Sequence, residues 1–448
     1  MRYTPHTAAD KERMLRTIGL RSVEELYHHI PQTLRERARI DLPRGLTELA
    51  VRRQMASLAA QNANAVDWSF FLGGGIYHHF IPSAVDAIIS RSEFSTSYTP
   101  YQPEVSQGTL QALFEYQTLI CQLTGMEVSN AAVYDGASAA AEAVLMSRRI
   151  QPSNKRRVLV SKALHPQYRA VMSTYLKNLQ DVHLEEIPFD SSGATGGAEL
   201  LRHLDDRSMC ALVGYPNFFG VIEDLAQIKS ACAQFGAQLI TVTPEPLSLA
   251  LLKPPGAFGV DIAVGEGQSL GVPMNLGGPA FGFFACQRNF VRNIPGRLVG
   301  ETVDTEGRRG FVLTLATREQ HIRREKATSN ICTSQTLCAL GATVFMSLLG
   351  KSGIRRLAEI NVVRAHDAHT RLVSEAKLET VFSGPYFNEF VVRAKNLDEA
   401  FARCAAQKIV PGIKLAQWYP ELQDCLLVCV TEMNEKEEID QLVRILSR

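Results

Sequence analysis

The sequence predicts an α/β fold, with a large, mainly parallel sheet followed by a smaller α/β unit. Three observations predict it. From Arg157 to Val264 short apolar runs alternate with helical patterns, and strands separated by helices of that length need crossover connections, which join parallel strands. Informative loops follow two of those strands, Tyr215–Gly220 and Gly265–Pro273, at the carboxyl ends where an open α/β sheet forms its ligand crevice. A second, shorter series of strands and helices fills the residues from 331 onward.

The segment 1–60 reads as an amphipathic helical arm, 61–330 as the large α/β domain and 331–448 as the small one. In the arm, Ala8-Ala9-Asp10 would cap a helix through Leu20, and Ser22 with Glu25 has capping-box spacing before a short second helix. Gln54 to Asp67 is alanine-rich and ends at Trp68, before Phe70-Phe-Leu-Gly-Gly-Gly-Ile-Tyr-His-His-Phe80. There the triple glycine predicts a turn too tight for bulky side chains. His78 and His79 have no acid or cysteine at ligand spacing, which leaves packing as the plain reading and gives no metal site.

Ser95 to Gly108 carries two prolines, two tyrosines and several hydroxyls without periodicity, the mark of an ordered loop. Prolines lower the entropy cost of one loop shape, and tyrosines give flat area with a hydrogen-bonding tip, so the loop suits either a recognition wall or simple packing. Thr109–Thr124 then places Leu110, Leu113, Phe114, Ile120 and Leu123 on one face, with Gly125 as its stop. Gly136, Ala137 and Ser138 open an alanine-rich helix to Arg148, and a helix first turn favours an anion such as phosphate.

Strands follow at Val158–Val160, His183–Pro188, Cys210–Gly214, Gln238–Val242 and Asp261–Val264. Helices lie between them around Gln167–Asn178, Ala198–Leu204 and Glu223–Phe235. Asn275–Gly310 is glycine-rich and basic, Phe311–Leu315 resembles a strand, and Thr317–Lys326 is crowded with both signs of charge. Such a crowd is a solvated face or, less commonly, an interface of paired charges. Asn330 would cap a helix through Leu349, a helix over Leu357–Glu375 follows, and Phe390–Arg393, Leu397–Gln407 and Leu426–Val430 complete the small unit before a last helix.

Composition excludes several classes. With 448 residues and 46% hydrophobic side chains the chain can bury a large core, and a net charge of +1 gives no global field for nucleic acid or an anionic membrane. Met1-Arg-Tyr-Thr-Pro-His shows no apolar leader core, and no run approaches the roughly 20 apolar residues of a membrane span. Nine scattered cysteines, among them Cys332, Cys338, Cys425 and Cys429, lack paired zinc spacing, so reduced thiols in a cytoplasmic protein are expected. Two phosphate motifs fail on context. Gly265-x-Gly267-x-x-x-Gly271 misses the dinucleotide fingerprint by one residue, and Leu349-Gly-Lys-Ser352 follows a helix where a P-loop needs a strand.

Five stretches together resemble one family: Phe71-Leu-Gly-Gly-Gly-Ile-Tyr-His78, Tyr98-Thr-Pro-Tyr-Gln-Pro-Glu-Val-Ser-Gln-Gly108, Gly265-Glu-Gly-Gln-Ser-Leu-Gly-Val-Pro273, Gly300-Glu-Thr-Val-Asp304 and Arg323-Arg-Glu-Lys-Ala-Thr-Ser-Asn-Ile-Cys-Thr333. They look like the glycine-cleavage-system P-protein, in particular its separately encoded N-terminal subunit. The resemblance implies an aspartate-aminotransferase-like fold, the fold type I of pyridoxal 5'-phosphate enzymes. It also implies that glycine is decarboxylated on that cofactor and its aminomethyl group passes to the lipoyl group of H-protein. The family arrangement it implies is a heterotetramer with a second P-protein subunit.

That chemistry requires a lysine for the Schiff base and usually an acid beside the pyridine nitrogen. The position that resembles the lysine holds Gln268, and an amide forms no Schiff base. Where the acid is expected stand Val242 and Thr243, with Glu245 the nearest carboxyl group. Lys253 precedes Pro254-Pro255 and Lys326 lies in the charged stretch, so neither replaces the missing amine. The resemblance therefore implies that the cofactor sits on the partner and that this chain supplies one wall of a shared site. His78, Ser97, Tyr98, Tyr101, Gln102 and Glu104 are assigned to that wall, with Gly136, Ala137 and Ser138 as a vestigial phosphate cup.

Overall fold

A computed structural model describes residues 5–38, 41–275 and 277–447. Met1–Thr4, part of the stretch examined for a leader, and Leu276 in the glycine-rich basic stretch lie outside the described residues. The chain divides into two compact units, Met1–Ala63 and Asn64–Arg448.

The first unit carries helices Ala8–Thr17, Gln32–Arg37 and Glu48–Ala59, none with a buried residue. Thr7, not the Ala8–Asp10 stretch, caps the first. Its hydroxyl accepts from the Asp10 amide while the Asp10 carboxylate accepts from the Thr7 amide, and the helix stops at Thr17. The Ser22/Glu25 box does not form: Glu24–Tyr27 is a 3₁₀ turn, and the Glu25 carboxylate turns back to the Arg21 amide.

The second unit is built on seven strands: β1 Val128–Ser129, β2 Arg157–Ser161, β3 His183–Ile187, β4 Ser208–Gly214, β5 Gln238–Thr243, β6 Ile262–Glu266 and β7 Gly282–Cys286, in the spatial order β1-β7-β6-β5-β4-β2-β3. All neighbours are parallel except β7, which runs against both β1 and β6. Pairs such as Leu212↔Ile240 and Ile240↔Ile262 set the register. Every residue of β4, β5 and β6 is buried. A continuous apolar run is what a strand covered on both faces requires, which explains why these strands do not alternate.

Helix Gly136–Ile150 packs on Pro166–Leu176, and Leu225–Gln234 on Gly197–His203. Gln107–Thr124 ends at Gly125, whose φ of 68° is the left-handed stop expected.

A hairpin follows, β8 Leu298–Val303 with β9 Arg309–Thr314. A second sheet of β10 Glu379–Thr380, β11 Glu389–Arg393, β12 Ile413–Lys414 and β13 Cys425–Cys429 has the order β10-β11-β13-β12 and is antiparallel throughout. Asn330 does not cap the long helix. That helix runs Thr336–Ser374 with a break at Gly350, where φ is 59° and ψ −176°. The whole helix is long and apolar enough, by length and composition, to compare with a membrane span, but in its first half Ala339, Ala342 and Phe345 are buried in the core over Gln107–Thr124. Its second half gives Ala365, Ala368 and Leu372 to the core of the second sheet. One helix thus serves two cores, with Ala358 beyond the glycine break still in the first and Ala365 onward in the second.

Candidate functional site

The carboxyl ends of β2, β4, β5 and β6 converge on the glycine turn before Tyr77. Tyr77 itself is buried, and its phenol donates to the Glu389 carboxyl at 2.8 Å. The Gly74 amide donates to the other oxygen of Glu389 at 2.6 Å. A side chain at Gly73 would sit 2.2 Å from that oxygen and 2.7 Å from Cys429 Cβ, while Gly75 has a φ of 103°. Glycine is thus required by close approach at one position and by backbone sign at the other. Gly73→Ala is expected to lower the unfolding free energy by about 1–3 kcal/mol through overpacking, checked by urea denaturation; an unchanged midpoint would mean that Glu389 can give way.

Gln268 lies at the end of β6, where its carboxamide is 3% exposed and fully used. Its oxygen accepts from the Tyr77 amide at 2.8 Å, and its nitrogen donates to the carbonyls of Tyr77 at 3.0 Å and Val272 at 2.7 Å. Two residues earlier, the Glu266 carboxyl accepts from the amides of Gly136 at 2.9 Å, Gly267 at 3.1 Å and Gln268 at 3.2 Å. Burial lifts its pKa to about 8 against the pull of the Gly136 amide. The first turn read as an anion cup is therefore filled from within: Gly136 binds Glu266, and the Ser138 amide binds its own cap, Asp135, at 2.7 Å. Ala137 stands between them at the start of the helix.

At the end of β5, Glu245 is buried and faces His79. His79 Nε2 is 3.0 Å from Glu245 and Nδ1 is 2.9 Å from Glu432. Burial opposes a charge on this ring, but the two carboxylates outweigh it and lift the pKa to about 10. Burial likewise tends to raise Glu432, yet His79, the Phe80 amide and Asn361 hold it down to about 2. Ser269 donates to Glu245 as well, at 3.1 Å. Beyond the end of β2, His165 stacks on Tyr168 with centroids 4.6 Å apart and lies 2.6 Å from the Gly74 carbonyl through Nε2; burial takes its pKa down to about 4. The crevice is a closed set of mutually satisfied groups.

The exposed chemistry lies elsewhere. Ser97, Tyr98, Tyr101, Gln102 and Glu104 are all exposed, with Tyr98 77% and Tyr101 50% accessible. Ser97 bonds locally to the Phe94 carbonyl, and Tyr101 packs against Arg297 and His321. Gln107 fastens the end of the loop to both the amide and the carbonyl of Phe311 in β9. His78 is half-buried, and its carbonyl accepts from Thr431; burial and the neighbouring His79 lower its pKa. Among the described residues no hydrogen bond joins His78 to the Ser97–Glu104 loop. The structure therefore gathers the five loop residues and leaves His78 at the glycine turn.

Sequence reasoning missed Glu266, Glu389, Glu432 and Arg297, each of which meets at least one group far from it in the chain. The Thr317–Lys326 stretch is also not one helix face: it breaks into Ala316–Arg318, Gln320–Arg323 and Arg324–Lys326, and Arg318 turns inward to the carbonyls of Leu315, Ile294 and Gly296. Among the described residues no group of three His, Cys, Asp or Glu side chains is arranged to hold a metal.

Residues 1–446 match the family model described as Glycine cleavage system P-protein. The chain is 47% identical over 447 residues to a protein of Carboxydothermus hydrogenoformans named "Probable glycine dehydrogenase (decarboxylating) subunit 1", covering 100% of this chain and 99% of that one. A protein of the same name from Anoxybacillus flavithermus is 48% identical, with 99% and 98% covered. Among solved structures, an inhibitor-bound glycine decarboxylase (P-protein) of the glycine cleavage system superposes with a TM-score of 0.91 at 43% identity over 100% of this chain and 99% of that one. The Escherichia coli cysteine desulfurase CsdA aligns at 0.63 with 15% identity over 88% and 97%, a likeness of fold alone.

Proposed function

This chain belongs to the glycine cleavage system P-protein family, and from that premise we propose that it is the subunit of glycine decarboxylase that carries no cofactor lysine. The observation that carries the proposal is Gln268. The amide stands at the position that resembles the Schiff-base lysine, and all of its polar atoms are bonded to the backbone of Tyr77 and Val272. The side chains around it do not fit pyridoxal phosphate anchored on this chain. Glu266 occupies the first-turn amide that a phosphate would need, and Glu245, on the side expected to face a pyridine nitrogen, is committed to His79, Ser269 and the Leu247 amide.

The cofactor is accordingly assigned to the partner, subunit 2, and the complex to a heterotetramer in the cytoplasm. There glycine is decarboxylated and its aminomethyl group passes to the lipoyl group of H-protein. This chain contributes Ser97, Tyr98, Tyr101, Gln102 and Glu104 as a wall: their exposure supports contact with something outside the chain, and the Gln107 clamp to β9 supports a fixed position. His78 is the weakest member, since it lies with Thr431 and not with the loop. The alternative is a scaffold that holds its partner without touching the reaction.

Mixing separates the two readings. The purified chain with added pyridoxal phosphate should be inert, and decarboxylation should appear on addition of the partner and lipoylated H-protein. The Tyr98→Phe and Tyr101→Phe variants should assemble normally but turn over more slowly. Assembly and turnover both unchanged would favour the scaffold, and activity of the chain alone would refute both.

A further inference from the structure

Arg297 precedes β8 and is 4% exposed, an uncommon place for a guanidinium. Its backbone carbonyl is pinned by the Ala131 amide at 2.8 Å. Its Nη2 donates to the Tyr101 hydroxyl at 3.0 Å and to the Cys332 carbonyl, and the guanidinium carbon lies 5.3 Å from the centre of the Tyr101 ring. Glu319, 3.5 Å from Nε, supplies the countercharge. His321 closes the other flank of Tyr101 with centroids 5.3 Å apart. One buried cation thus joins three separate stretches: the Tyr98–Gly108 loop, the start of the hairpin and the segment ending at Thr333. Tyr98 receives no such support. It is the more exposed of the two tyrosines, and among the described residues its hydroxyl makes no hydrogen bond.

We infer that Arg297 is a positioning residue for the shared site: it fixes the hydroxyl and ring plane of Tyr101, so that one tyrosine of the wall is rigid while Tyr98 remains adjustable. This rests on the wall assignment above. A lysine could not replace it, since a point cation on a flexible stem cannot bond the hydroxyl and the carbonyl, face Glu319 and lie over the ring together. The hydroxyl accepts from Arg297 and keeps its own proton free to donate outward. The chemistry that would receive it is an acceptor on the partner's ligand, a carboxylate or a polarised sulfur.

The test is a double-mutant cycle in the assembled complex, with the lysine-bearing partner, pyridoxal phosphate, glycine and lipoylated H-protein. Tyr101→Phe and Arg297→Lys are each expected to lower kcat/KM by about tenfold, the size of one charge-assisted hydrogen bond. The double variant should fall no further than either single one, because both remove the same interaction. Independent losses that multiply to about a hundredfold would overturn the inference, as would full turnover in Arg297→Lys. Arg297→Gln is the second variant: if neither it nor Arg297→Lys assembles, Arg297 is structural and the inference also fails. Failure of the wall reading has a different signature, unchanged turnover in both Tyr98→Phe and Tyr101→Phe.

Discussion

Gln268→Lys will restore neither cofactor capture nor catalysis to this chain, and will destabilise it by about 3–5 kcal/mol, the size of an unpaired charge left in a protein interior. The substitution supplies the missing amine, so it is the change that chemical intuition would try first. It fails because the site has been rebuilt around the amide. The Tyr77 amide would lose its acceptor, since an ammonium only donates. A buried hydrogen-bond donor without a partner itself costs about 1–3 kcal/mol. The new cation would also sit in a position 3% exposed, and the Gly136 amide would still be held by Glu266. Urea denaturation gives the stability loss. Borohydride reduction in the presence of pyridoxal phosphate, followed by peptide mapping, gives the chemistry. A labelled lysine at 268 in a stable variant that turns over glycine unaided would show that the amine was the only thing missing, and would sink the proposed division of labour.

The contrast between Gln268 and Glu266 shows which parts of this molecule could be read from sequence. The central parallel strands β4, β5 and β6 were legible because burial on both faces makes each one a short apolar run, and their observed ends lie close to those predicted. Gln268 stands out in the sequence because its residue type is chemically disqualified from the task that the resemblance gives its position. Glu266 was in plain view in the same motif, but its meaning depends on Gly136, 130 residues away, and nothing local reports that pairing. The same holds for Arg297, whose partners Tyr101 and Cys332 come from opposite sides of it in the chain. Asn330 misled for another reason: a good cap was available, but the chain from Ile331 to Gln335 forms no regular element and the helix waits until Thr336, a tertiary override of local propensity. The resemblance assigns His78, from the glycine turn, to the wall, whereas its neighbour His79 holds the buried charge.

That charge leads to the second large effect. Both nitrogens of His79 face a carboxylate oxygen at about 3 Å, 3.0 Å to Glu245 and 2.9 Å to Glu432, so the ring is held as the imidazolium. His79→Leu would leave two buried carboxylates facing each other without a cation, and a loss of about 3–5 kcal/mol is expected. The sign of the pH dependence follows from its raised pKa. The folded value is about 10 against 6.5 unfolded, so the folded state holds the proton longer. The His79 contribution is therefore complete below about pH 6.5 and disappears as pH rises towards 10. Glu266 and Glu389, raised by burial to about 8 and about 7, also destabilise the fold with rising pH, but their effect is spent by about pH 8. Glu432, held to about 2, acts only in acid, with its stabilisation present above 4.5 and lost as pH falls towards 2. Buried thiols such as Cys210, Cys232, Cys286 and Cys429, raised by burial from the ordinary 9.0, also destabilise the fold as pH rises through the approach to 9. These thiols are common to the wild type and a His79 variant, so the difference between the two isolates the His79 contribution. Both melting temperatures should fall between about pH 8 and 9, and the gap between the wild-type chain and His79→Leu should narrow towards the alkaline end because only the wild type loses the imidazolium contribution; parallel slopes would mean that the ring is neutral and the two carboxyl groups share a proton instead.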